Sequence, residues 1–79
     1  MATTAAAIRS AAMSHHLREV LVKVNAGGTS SIDINAATVS NSEKAEMRAV
    51  VASTATRASI NGSQLNLPAK AALLAIAGV

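Results

Sequence analysis

Residues 40–62, SNSEKAEMRAVVASTATRASING, carry the most regular pattern of the chain and decide its fold class. Ser40 and Glu43 have the S-x-x-E spacing of a helix capping box, and Ser42 is an alternative cap for the same helix. The Asn-Gly pair at the end of the stretch supplies a stop, because both residues are favoured just beyond a helix C-terminus. The stretch therefore predicts a central helix over residues 42–61.

The predicted central helix has two faces of different chemistry. On a helical wheel, the larger apolar side chains, such as Met47 and Val50, share one face. The opposite face is made of small residues, including Ala45, Ala49 and Ala52. A helix with this pattern is usually covered on both sides. We therefore predict that the three alanines contact another chain.

The chain has little large apolar material with which to build a core. Its 79 residues include no Phe, Tyr, Trp or Cys, although 51% of them are hydrophobic by type. Aromatic side chains normally supply much of a core, and disulfides stabilise many small chains whose core is too small. Association with other chains is the remaining source of stability. The sequence therefore predicts one small domain, 1–79, that folds only within an oligomer or a larger assembly.

Residues 1–26 predict an N-terminal helix that begins at an early threonine and ends at a pair of glycines. On this helix Met13, Leu17 and Leu21 share one face, which predicts a stripe that packs against the core or a partner. An alternative interpretation takes residues 19–24 as a β-strand, because valines alternate there with other residues. The helix is the preferred interpretation.

Two short strands are predicted outside the helices. Residues 27–41 have the composition of a linker, but within them SIDIN, at 31–35, alternates isoleucine with polar residues, as a strand does. Residues 63–67 alternate leucine with polar residues in the same way. The two strands could pair in parallel across the central helix. The predicted fold is therefore mainly α, with about three helices and two short strands.

The C-terminal segment, 62–79, ends in an apolar helix that follows Pro68, a residue suited to the first helical turn. Leu73, Leu74 and Ile76 are the large side chains of this helix, and they occupy adjacent positions around it. The apolar run is too short to span a bilayer, which needs about 20 residues. We predict that these three side chains contact other subunits.

The charge of the chain is basic but dispersed. The formal net charge is +3 and the pI is near 10.3, which favours anionic partners in principle. The seven Lys and Arg residues form no run, and no aromatic residue stands among them to stack on bases. Arg9 and Lys23, on one flank of the N-terminal helix, are the candidate anion contacts. We expect only weak contact with nucleic acid.

The sequence offers little for catalysis or for metal binding. Its two histidines, His15 and His16, are adjacent, and neighbouring residues on a helix do not face one centre. The Asp-x-Asn at 33–35 begins like a calcium loop, but the glycine and the final acid of that loop are missing. We expect no catalytic residue, no metal, no cofactor and no small-molecule substrate.

Together these patterns predict a non-enzymatic structural subunit that contacts copies of itself or other structural subunits. The Ala, Ser, Thr and Asn content suggests a small virion component, from a phage capsid, tail or interior. No charged segment precedes an unbroken apolar run, as it would in a cleaved secretory signal, so a virion or a cytoplasmic assembly is the expected location. A small basic protein associated with nucleic acid is the alternative, which accounts for the charge but not for the apolar faces.

Overall fold

The computed structural model describes residues 3–79, and these residues form six α-helices and no β-strand. The mainly α fold is therefore confirmed, but the two predicted strands are absent from the described chain. In chain order the helices are α1 (Ala5–Ser10), α2 (His15–Ala26), α3 (Ser31–Asn35), α4 (Asn41–Val51), α5 (Arg57–Asn61) and α6 (Leu67–Ala77).

Short and long helices alternate along the chain, which gives three successive pairs with the same spacing. The N-cap residues recur every 26 positions in both series: Thr4, Ser30 and Thr56 for the short helices, and Ser14, Ser40 and Asn66 for the long ones. Each of these side chains accepts a hydrogen bond from a backbone N–H that has no partner inside the helix. The chain thus consists of three helical hairpins: repeat 1 (4–29), repeat 2 (30–55) and repeat 3 (56–79).

Equivalent residues of the three repeats build one core. Each short helix contributes an isoleucine and each long helix a leucine or methionine, all at most 1% exposed: Ile8, Ile34, Ile60, Leu21, Met47 and Leu73. Every long helix contacts the other two, and every short helix contacts the long helix of its own repeat. Burial of one such side chain contributes about 1.5–3 kcal/mol. The structure therefore gives no support to the prediction that the chain folds only within an oligomer.

Three basic side chains of the long helices donate hydrogen bonds to residues near the C-termini of the short helices. Their amino or guanidinium groups donate hydrogen bonds as follows: Arg18 to the carbonyl oxygen of Arg9, Arg48 to the side-chain oxygen of Asn35, and Lys70 to the carbonyl oxygen of Asn61. A cation at this place faces the negative end of the helix dipole. These three side chains are therefore engaged in holding the fold.

SIDIN, predicted as a strand, forms α3. Ser30 and Asp33 make a capping box, in which the hydroxyl accepts from the N–H of Asp33 and the carboxylate accepts from the N–H of Ser30. The alternating isoleucines are misleading because residues two apart on a helix point to nearly opposite sides. Ile34 is accordingly buried, whereas Ile32 is 78% exposed. Residues 63–67, the other predicted strand, form the loop before α6 and its first residue.

The predicted N-terminal helix is two helices. The first two residues of its predicted range, 1–26, lie outside the described residues. The chain leaves the helical conformation between Ala11 and Ser14, which both have extended backbone angles. The Ser14 hydroxyl then accepts from the N–H of Leu17 and begins α2. Residues 19–24 lie within α2, so the helix interpretation is confirmed and the strand alternative is wrong.

The predicted central helix, 42–61, is also two helices. α4 ends at Val51, and Ser53 has a φ of 59°, the left-handed conformation that terminates many helices. Thr56 then caps α5 with its side chain. The predicted face of small residues is consequently divided, because Ala52 is the C-cap of α4 and the residues beyond it belong to a turn.

Candidate functional site

The three long helices end together at a cleft with a volume of about 370 Å³. Its walls come from equivalent positions of the three repeats, an inner set and an outer set: Val24, Val50 and Ile76, and then Asn25, Val51 and Ala77. The turns after these helices complete the lining with residues such as Ser53 and Val79. We call this hollow the axial cleft. Its size lies at the lower end of the range of about 300–1,000 Å³ for ligand pockets.

The axial cleft leaves apolar surface open to solvent. Val24 is 7% exposed, and Val50 and Ile76 are half-buried, so the inner set is largely covered. At the rim, Val51 is 39% exposed and Val79 is 38% exposed. The core of the chain is complete without these rim side chains, so their apolar surface is accessible to another molecule.

Three helix C-termini give the axial cleft a negative polarity. The aligned peptide dipoles of a helix are equivalent to about half a negative charge at its C-terminus. The carbonyl oxygens of Asn25, Val51 and Ala77 accept no hydrogen bond from a backbone N–H within residues 3–79. Among the residues that line the cleft in the described chain, none has an ionisable side chain.

Two basic residues in the last turns of these helices are directed elsewhere. Lys23, in α2, lines a groove between α2 and α3. Arg48, in α4, donates to the side chain of Asn35 at the end of α3. The last turn of α6 contains no basic residue. The negative polarity of the axial cleft is therefore not neutralised by side chains in its lining.

Two further hollows lie between neighbouring repeats, at equivalent positions. The charged groove lies between α2 and α3, has a volume of about 340 Å³ and carries four ionisable side chains: His16, Glu19, Lys23 and Asp33. The apolar groove lies between α6 and α1, has a volume of about 250 Å³ and carries at the same repeat positions Pro68, Ala71, Ala75 and Ala7. The same backbone arrangement thus presents two different surfaces.

The pKa of Asp33, in the charged groove, is lowered by hydrogen bonds within its own helix cap. The backbone N–H of Ser30 donates to its carboxylate at 3.1 Å, and the hydroxyl of Ser30 donates to it at 3.0 Å. These two hydrogen bonds, with a smaller contribution from the charge of Lys23, lower the pKa of Asp33 from its ordinary value. The carboxylate therefore acts as part of a helix cap.

Four of the predicted interface residues belong to the core of the single chain: Met13, Leu17, Leu21 and Leu73. The apolar stripe of the N-terminal segment is thus explained by packing within one subunit.

The other predicted interface residues lie at or near the surface. Ala45 and Ala52 are exposed and Ala49 is half-buried. Leu74 and Ile76 are half-buried and pack against the core, and Ile76 also lines the axial cleft. Contact of these five residues with another chain stays a prediction.

The predicted anion contacts, Arg9 and Lys23, are both exposed but belong to different helices, α1 and α2. Their predicted place on one flank assumed a continuous helix over residues 1–26, and the break between α1 and α2 removes that basis. No described contact brings the two side chains together.

The two histidines lie at the start of α2. The Nε2 of His15 is 3.2 Å from the carboxylate of Glu19, and both side chains are exposed. The rings of His15 and His16 meet edge to face with their centroids 5.8 Å apart. Within residues 3–79, no group of three or more His, Cys, Asp or Glu side chains is arranged to hold a metal ion.

Reading the sequence by local patterns misses the axial cleft, although the sequence contains a signal for it. Ile8, Ile34 and Ile60 stand 26 residues apart, and each follows a Thr or Ser by four residues. A search for self-similarity at a fixed period, the signature of repeat architectures, brings these positions into register. That register aligns the C-terminal ends of the long helices.

In comparisons with protein-family models, curated proteins and solved structures, the chain shows no significant match. Among the helices of the described chain, none has both the length and the hydropathy that crossing a bilayer requires.

Proposed function

We propose that this protein is a non-enzymatic structural subunit that assembles with copies of itself through the axial cleft. The observation that supports the proposal is the apolar surface left open where the three long helices end, at the rim residues Val51 and Val79. A virion, with the chain as a capsid, tail or internal component of a phage, is the setting that its composition favours.

The open apolar surface has no role in the core of the single chain. Large side chains of all three repeats are already buried beneath it, and grouped apolar residues at a surface often mark an interaction site. Covering such surface contributes about 25 cal/mol per Å² of apolar area removed from water. A contact that closes the cleft would therefore stabilise an assembly.

The alternative, a protein associated with nucleic acid, has less support from the positions of the basic residues. Arg18, Arg48 and Lys70 are engaged within the fold. The exposed cations Arg9, Lys23 and Arg57 belong to three different helices. Strong binding to phosphates needs several cations on one surface, so we expect weak and salt-sensitive binding.

Sedimentation velocity of the purified chain, from micromolar to millimolar concentration, tests the proposal. The wild-type chain is expected to associate as its concentration rises. Val51→Lys is expected to abolish the association, because a long charged side chain at the rim occupies the surface that a second copy would cover. The matched control is Ile32→Lys, at an exposed apolar residue of α3 outside the cleft, and it is expected to associate like the wild type.

Two results would contradict this function. The first is a chain that remains monomeric over the whole concentration range, and the second is equal loss of association in both variants. Tight binding to nucleic acid at physiological salt, lost in an Arg9→Ala and Lys23→Ala double variant, would favour the alternative.

A further inference from the structure

We propose that the group bound by the axial cleft is an alkylammonium, as presented by a lysine side chain of a neighbouring subunit. The identity of the neighbour rests on the proposed function, whereas the chemistry of the group rests on the cleft itself. Three features of the cleft select this group: its polarity, its approximate threefold arrangement and its apolar inner wall.

The polarity of the cleft favours a cation over an anion or a neutral group. Three helix C-termini converge on it, and a cation is stabilised at the negative end of each helix dipole. Its lining in the described chain contains no Lys, Arg or His to compete for that place, and no Asp or Glu that would form an ordinary ion pair. No charged side chain of the lining therefore contributes to the attraction.

The arrangement of the carbonyl groups favours an ammonium over a guanidinium. The residues Asn25, Val51 and Ala77 occupy equivalent positions of the three repeats, and their carbonyl oxygens accept from no backbone N–H in residues 3–79. An ammonium group carries three N–H donors around one axis, whereas a guanidinium is a flat fork. Three donors around an axis suit three helix C-termini related by the repeat better than a flat fork does.

The inner wall favours a cation carried on an alkyl stem. Val24, Val50 and Ile76 are apolar and lie one residue before the acceptor carbonyls in each repeat. A lysine side chain places its methylene groups along apolar surface while its charge meets polar groups. The cleft thus offers an apolar surface for the stem beside acceptors for the charged end.

Titration of the full chain with small probes, followed by amide chemical shifts in NMR, tests this inference. Pentylammonium is expected to shift the amides of residues 24–29, 50–55 and 76–79 and to bind at least about tenfold more tightly than pentanol. Pentanoate is expected to bind more weakly than pentanol, and pentylguanidinium more weakly than pentylammonium. The advantage of pentylammonium over pentanol should shrink at about 1 M salt, which screens exposed charges.

Two lysine variants separate a charge at the cleft from a charge elsewhere on the surface. Ile32→Lys, at an exposed residue of α3 outside the cleft, is expected to keep the affinity for pentylammonium within about threefold. Val51→Lys adds a fixed cation and is expected to lower that affinity at least about tenfold. Equal affinity of the wild type for pentylammonium, pentanol and pentanoate would overturn the inference, and so would shifts confined to other surfaces.

The probe titration and the sedimentation experiment can fail independently. If Val51→Lys abolishes association but pentylammonium has no preference for the cleft, the structural function stands and the alkylammonium site is wrong. If pentylammonium binds in the cleft but the chain stays monomeric, the site stands and the proposed self-assembly is wrong.

Discussion

The charged groove and the apolar groove occupy the same place in successive repeats but present opposite surfaces. Each lies between a long helix and the short helix of a neighbouring repeat. Under both, the short helix is anchored by a buried isoleucine, Ile34 in one case and Ile8 in the other. The lining residues differ completely in charge, with Lys23 in one groove where Ala75 stands in the other. The fold thus depends on the buried positions and leaves the groove-lining positions free to vary.

The two grooves also differ in how their short helices begin. In α3, the wall of the charged groove, Ser30 and Asp33 satisfy each other's backbone N–H groups. In α1, the wall of the apolar groove, Thr4 accepts from the N–H of Ala7, and alanine has no side chain to return the bond. The Asp33 carboxylate therefore caps α3, and α1 has no charged residue in the equivalent place.

The largest effect on stability is expected from truncating the buried isoleucine that lies under each groove. Ile34→Ala and Ile8→Ala should each lower the free energy of unfolding by about 2–5 kcal/mol, because each leaves a cavity in a tightly packed core. The exposed residue Ile32 provides the control, and Ile32→Ala should change stability by no more than about 0.5 kcal/mol. Urea denaturation followed by circular dichroism measures all three.

Where an alanine variant is too unstable to measure, the smaller change to valine keeps the comparison. Ile34→Val and Ile8→Val should each cost about 0.5–1.5 kcal/mol. A clear loss at one anchor with none at the other would show that the two grooves are not built on equivalent positions.

Helix content and several helix ends could be predicted from the sequence because they depend on local chemistry. Of the two predicted caps, Ser40 with Glu43 begins α4, and Ser42 lies inside the helix. Pro68 does lie in the first turn of α6. The same kind of box at Ser30 and Asp33 is hidden in the sequence by two alternating isoleucines, which suggest a strand.

The helix breaks and the axial cleft could not be read from local periodicity. Residues 52–56 continue a helical wheel acceptably, and nothing in their apolar pattern reveals that Ser53 adopts a left-handed conformation. The cleft requires that Val24, Val50 and Ile76 meet although they are distant in sequence. Only the repeat relates them, and alanine-rich repeats of low similarity obscure that relation.

A smaller effect is expected from removing the caps of the two groove walls. Ser30→Ala removes an acceptor for the N–H of Asp33 and a donor to its carboxylate, whereas Thr4→Ala removes one acceptor. Loss of a cap costs about 1 kcal/mol, and the cost should be greater at Ser30 than at Thr4. Thermal unfolding of the two variants measures the difference.

Ser31→Ala, one residue into α3, is the control for these caps and should have little effect. Equal costs at Ser30 and Thr4 would mean that the bond from the Ser30 hydroxyl to the Asp33 carboxylate adds nothing to the cap. A larger cost at Thr4 would reverse the comparison between the grooves.

The smallest expected effect is a pH dependence of the folding stability. It arises from Asp33 in the charged groove and has no counterpart in the apolar groove. Because its pKa is lower in the folded chain than its ordinary value of 3.8, the ionised carboxylate stabilises the fold above that value, and the contribution is lost as the pH falls through the folded-state pKa. Asp33→Asn should therefore reduce stability at neutral pH and have less effect in strong acid. The converse change, Ala7→Asp, supplies the missing half of the box with Thr4 and should add stability at neutral pH that disappears on acidification. Urea denaturation of both variants at neutral pH and in acid provides the measurement. If Asp33→Asn lowers stability equally under both conditions, the hydrogen bonds of the cap matter and the charge does not.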